Sequence, residues 1–215
     1  RVVWDLRTEP LVPFTGVVIF APTDGYRVAP GDYTVRLTAE GKALVQPLKV
    51  VPDPRLQMSP EEIAREQTMI AKLNARAAEI FSEVRTLRSV RDQVNRVSSQ
   101  PDLPNADSVK ALSARIKTRL DSLEQSLVQV RSTNGQDVIN YPPGLISQVL
   151  FLASAVDESG LAPTRAMEER VGEIDVLWQA LDARIRNVID QDVARLNSLL
   201  SGVPAVVVPR PKPVP

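Results

Sequence analysis

The stretch SPEEIAREQ, residues 59–67, decides the fold. Ser59 can accept from the backbone N–H near Glu62, Glu62 can reach back to Ser59, and Pro60 sits where no N–H is needed. That is the signature of a helix N-terminus. Beyond it, Ile70, Leu73, Ala77, Ile80, Val84, Leu87 and Val94 recur at alternating steps of three and four, with Arg91 the polar residue in the seam. No Pro or Gly interrupts 61–97. The spacing predicts one helix of about forty residues, about 60 Å long.

Moving toward the C-terminus, SSQPDLPNAD (98–107) breaks this helix, and Asn105 or Asp107 is expected to cap a second. Its seam is Val109, Leu112, Ile116, Leu120, Leu123, Leu127 and Val130. STNGQDVINYPPG (132–144) reads as a long loop, after which Pro142 and Pro143 open a shorter helix carrying Ile146, Val149, Leu150, Ala153 and Val156. DESGLAPT (157–164) is the next break. A last long helix from about Pro163 carries Met167, Val171, Ile174, Trp178, Leu181, Ile185, Val188, Leu196 and Leu200. The second and third helices together match the first and last in length. The expected bundle is therefore a long helix, a broken helix and a long helix, with a four-helix bundle as the alternative. The chain closes on GVPAVVVPRPKPVP (202–215), whose alternating Pro favours an extended tail.

Toward the N-terminus the period changes to two at VVPDPR (50–55). In DYTVRLTAEGK (32–42), Tyr33, Val35 and Leu37 alternate with Thr34, Arg36 and Thr38, a strand with one wet face. AEGK supplies a tight turn, and ALVQPLKVV (43–51) returns as its hairpin partner, with Pro47 marking an edge or a bulge. GVVIFAP (16–22) and VVWDL (2–6) are expected as further strands. An immunoglobulin-like sandwich uses about seven strands in about 100 residues, so this segment amounts to about half of one. The opening RVVWDLR begins inside an expected strand, which fits the tail of a longer protein. The fold class is thus α+β and mostly α: a partial immunoglobulin-like antiparallel segment over 1–53, a long-helix bundle over 54–202 and a Pro-rich extended tail over 203–215.

Lys+Arg and Asp+Glu number 26 each, so no net positive field draws nucleic acid or an anionic membrane. No apolar run approaches the roughly 20 residues that span a bilayer. Without Cys or His there is no thiolate nucleophile, no imidazole base and no Cys or His metal ligand. Carboxylate pairs and oxygen-ligated Mg²⁺ or Ca²⁺ survive this filter.

The acidic clusters read as structure. Glu168, Glu169 and Glu173 complement a helix N-terminus, and Asp190 and Asp192, two apart, do not face each other. Asp192 lies near the seam, where an Arg of a neighbouring helix can pair with it. Arg91 is expected to snorkel or fix register against a carboxylate, and Trp178 falls in the core. PRPKPVP (209–215) has the form of an SH3-type ligand but reads as a frayed end. The 132–144 loop exceeds the usual helix connection, with Tyr141 as its anchor.

The Trp4-Asp5-Leu6 segment, Pro30-Gly31 followed by Tyr33-Thr34-Val35, Pro142-Pro143 and Ala162-Pro163-Thr164 occur in an order that resembles the C-terminal region of bacterial sortilin-type, BNR-repeat β-propeller proteins, often labelled glycosyl hydrolases. The resemblance implies a secreted or periplasmic protein whose propeller, outside this chain, carries any carbohydrate or peptide site. On it, no residue here takes a catalytic, cofactor-binding or metal-ligating role. The expected function is a non-catalytic accessory module that packs on the propeller of the same protein or mediates protein association, including homo-oligomers. The alternative is the terminal part of a glycosidase-like or peptidase-like enzyme whose active site lies on the propeller.

Overall fold

The computed structural model describes residues 3–103, 105–132, 137–200 and 205–209. The fold is α+β and mostly α, a helical bundle with a two-stranded antiparallel sheet. Helix α1, Pro60–Ser98, is its spine. Ser59 and Glu62 close the expected capping box, with Pro60 in the first turn. All seven apolar positions named for its seam are buried, and Phe81, Val90 and Val97 widen the stripe. Fully burying one such side chain is worth about 2 kcal/mol, so the stripe outweighs anything helix propensity supplies.

Helix α2, Ala106–Leu127, and α3, Leu145–Ser159, both pack on α1 and run back along it. Arg91 of α1 meets Asp121 and Glu124 of α2, while residues of α1's second turn lie beside Asp157 of α3. Asn105 caps α2 by position alone, in left-handed conformation and without a side-chain bond. Pro142 and Pro143 lie just ahead of α3 rather than in its first turn, and Gly144 is the N-cap. A Cβ on Gly144 would lie 2.6 Å from the Leu127 carbonyl oxygen, so the return from α2 into α3 needs glycine there.

Thr164 caps α4, Arg165–Asn187, which lies parallel to α1, as the Arg65–Glu168 and Lys72–Asp175 ion pairs show. The last rod is not one uniform α-helix. A π-helical turn, Val188–Val193, separates α4 from α5, Ala194–Leu199. Buried residues there follow as Val188, Asp192, Leu196 and Leu200, steps of four that overrun the 3.6-residue turn. The wider turn absorbs the excess and keeps the stripe facing α2.

Strands β1, Gly31–Ala39, and β2, Lys42–Val50, pair in the expected register, with Tyr33 opposite Leu48 and Leu37 opposite Leu44. Glu40 and Gly41 both have positive φ, the conformation a two-residue hairpin turn demands. Among the described residues, the two further strands expected upstream do not form. Residues 4–7 fold into a tight turn: Leu6 is left-handed, Asp5 accepts from the Arg7 N–H, and the Trp4 indole donates to the Arg7 carbonyl. GVVIFAP runs along the bundle and makes a single bridge, Val18 to Gln129. Its fixings are tertiary. Phe14 packs edge-on to Phe81, with rings 5.4 Å apart, and the Phe20 N–H donates to Ser147.

Glu124 ties these parts together. Its carboxylate, 3% exposed, accepts from Arg88 Nε and Arg91 Nη1, both at 2.6 Å. Arg88 also donates to the Thr15 carbonyl and lies over the Phe14 ring. Replacing Glu124 by Ala removes the buried acceptor shared by two guanidinium groups and should cost about 3 kcal/mol. Asp121→Ala, on the wet side of the same cluster, should cost less than about 1 kcal/mol. Urea unfolding midpoints of the two variants test the difference.

Candidate functional site

Where the hairpin roots in the bundle, the chain from 4–8 lies antiparallel to 25–28. Thr8 N–H donates to the Tyr26 carbonyl and Val28 N–H to the Leu6 carbonyl, each at 2.9 Å. Gly25 makes this approach feasible, since a Cβ there would sit 1.9 Å from the Thr8 carbonyl oxygen. The pair is pinned to α3 through Asp157. Its Oδ2 accepts from Arg7 Nη1 at 2.9 Å and its Oδ1 from the Arg27 N–H at 3.0 Å. The same Arg7 nitrogen donates to the Gly25 carbonyl. Asp157 is 6% exposed, a buried charge made tolerable by these partners.

Between this clasp, the hairpin root and α1 lies a cleft of about 340 Å³. Leu6, Val28, Val51, Leu56, Met58 and Ile63 give it apolar walls, and Glu66, Gln67, Arg27 and Asp157 supply polar groups. The combination is that of a small-ligand pocket. Its two carboxylates differ in condition. Asp157 is committed at both oxygens. No hydrogen bond reaches the Glu66 carboxylate among the described residues, and its pKa is raised, first by burial and then by the charge of Asp157, with Arg27 opposing. At the rim, the Arg55 side chain and N–H hold Asp53 down to about 2.

The residues singled out from sequence lie elsewhere. Glu168 pairs with Arg65, Glu169 with Arg165 and Glu173 with Arg170, three separate surface pairs. Asp190 is exposed, whereas Asp192 is buried and held by Arg119 and Arg115 of α2. Arg91 bonds Asp121 and Glu124, and Trp178 is in the core with Arg76 over its ring. Arg131 stands over Tyr141, the loop anchor, but 133–136 of that loop lie outside the described residues, as do 210–215 of the Pro-rich end. Among the described residues no three His, Cys, Asp or Glu converge as a metal site, and no helix is long and apolar enough to cross a membrane.

Neither a family model, a curated protein nor a solved structure matches the chain. Glu66 and Asp157 went unnoticed in the sequence because they belong to different helices and meet only through the fold; Glu66 itself reads as one more charge near a helix N-terminus.

Because folding raises the Glu66 pKa above its ordinary 4.5, the folded state holds this proton more tightly than the unfolded state. The group therefore favours folding at low pH and detracts as pH rises through the folded value. Glu66→Gln should melt higher than the unaltered chain at pH 7, with the gap closing below about pH 4. Thermal melts at both pH values measure this.

Proposed function

We propose that this chain is a non-catalytic accessory module of a larger secreted β-propeller protein, in which the bundle is the stiff support and the hairpin the element that docks. The uncovered face of the hairpin carries this reading. Tyr33, Val35, Leu37, Leu44 and Leu48 share one face. At its root Tyr33 is covered by the Trp4 ring, 5.9 Å away. Toward the tip Val35, Leu37 and Leu44 are 52%, 59% and 67% exposed. A hairpin of two strands is marginal in water by itself and needs further strands or a packed face. Both of its long edges also offer unpaired backbone groups. The partner such an element suits is an antiparallel sheet with an apolar face, which under this proposal the propeller of the same protein supplies.

The cleft at the root fits the same assignment. One of its acids is spent on holding the hairpin to α3, so it does not present two free carboxylates for acid–base hydrolysis. Under this proposal the clasp sets the direction in which the hairpin projects.

Amide hydrogen exchange of 31–50 in this chain and in the full-length precursor tests the assignment. Slower exchange of β1 and β2 in the precursor is expected, and a Leu37→Asp, Leu44→Asp double variant should abolish that slowing while leaving α1 unchanged. Equal exchange in the two contexts would contradict docking. Hydrolysis of a glycoside by the chain alone, lost in Glu66→Gln, would overturn the non-catalytic reading.

A further inference from the structure

At the other end of the bundle, residues 205–209, AVVVP, lie extended against the core. Val206 is buried, Val207 is 66% exposed and Val208 packs partly on the core, the alternation of a strand without a sheet. Two side-chain amides grip its backbone. The Val206 N–H donates to Asn197 Oδ1 at 2.8 Å, and its carbonyl accepts from Asn197 Nδ2 at 2.9 Å. The Val207 N–H donates to Gln93 Oε1 at 2.8 Å, and its carbonyl accepts from Gln93 Nε2 at 2.7 Å.

In an extended chain, successive residues turn their N–H and C=O to opposite sides. Asn197 of α5 and Gln93 of α1 therefore hold the segment from opposite flanks. A carboxamide carries one donor edge and one acceptor edge, the complement of the N–H and C=O of a single residue. Gln93 is steadied by a contact from Nε2 to the Ser89 hydroxyl. Nothing in this arrangement uses charge. It recognises extended backbone and one apolar side chain, as an open sheet edge recognises an added strand.

We propose that Gln93 and Asn197 form a recognition site for an extended, uncharged polypeptide segment with a β-branched anchor residue, that residues 205–209 fill it in cis, and that a partner protein's segment of the same chemistry exchanges with them. Val206 is the one fully buried residue of 205–209, so little apolar surface holds the segment beyond the four hydrogen bonds. Flanking prolines keep such a ligand extended before it binds, which lowers the ordering cost. The site stands on observations separate from the hairpin and its cleft.

The test uses the full chain and a labelled peptide, PAVVVP, followed by fluorescence anisotropy. Val206→Asp spoils the anchor of the cis segment and leaves Gln93 and Asn197 in place. A tethered segment competes at an effective concentration in the millimolar range, so this variant should bind the peptide at least about tenfold more tightly than the unaltered chain. Adding Asn197→Ala removes two hydrogen bonds and should lower that affinity about tenfold or more. A peptide with Asp at the anchor should not bind. If Val206→Asp lowers the helical circular dichroism, Val206→Gly vacates the anchor more gently and gives the same comparison. Peptide binding no tighter to the folded variant than to the unaltered chain, or indifferent to Asn197→Ala, would overturn the proposal.

Discussion

Apolar seams hold helices together but resist sliding only weakly, because one Leu or Val serves nearly as well as the next. Three buried carboxylates supply the missing specificity. Glu124 of α2 receives Arg88 and Arg91 of α1, Asp157 of α3 receives Arg7, and Asp192 in the π-helical turn receives Arg119 and Arg115 of α2. They are the buried charged side chains of the described residues, and each bonds to Arg from a different element. A one-turn slip at any of these contacts would leave a buried carboxylate without its guanidinium, at a cost of several kcal/mol. Register is thus fixed where α2 meets α1 and the π-helical turn, and where α3 meets the chain at Arg7.

The same device fastens the non-helical chain. Arg88 couples the α1–α2 contact to the Phe14 region, and Arg7 couples the hairpin root to α3. The extended N-terminal segment consequently behaves as a strap on the bundle rather than as part of a sheet. Only β1 and β2 project, with the Glu66 cleft at their base. The features that invite partners are divided between the two ends of the spine, with the hairpin and cleft near Glu66 and the amide pair near Gln93.

The helices were legible because their causes are local. The Ser59 capping box, the unbroken three-and-four spacing and the Pro- and Gly-rich breaks each lie within a few residues of what they control. The hairpin was legible for the same reason, through its alternation and the Glu40-Gly41 turn. The strap was not, because Val18 and Phe20 bond to Gln129 and Ser147, more than a hundred residues away. Nor was the cleft, assembled from four stretches of chain, nor the pairing of Gln93 with Val207. Two local signals were available. Asp5 two residues before Arg7 is an Asx-turn pattern, which argues for a turn where Val3 and Trp4 suggested a strand. The seam positions Val188, Asp192, Leu196 and Leu200, four residues apart, overrun the α-helical turn and mark the π-helical turn.

That widened turn has a geometric consequence at the end of the chain. Each residue in an α-helix advances the azimuth by about 100°, so one surplus residue between α4 and α5 re-aims everything beyond it by about that angle. Asn197 owes its bearing to this surplus. In a relative that lacks one residue within 188–193, the rod would straighten and the carboxamide would swing clear of Val206. Capture of the terminal segment would then be switched by an insertion or deletion far from it in sequence, with every contact residue unchanged.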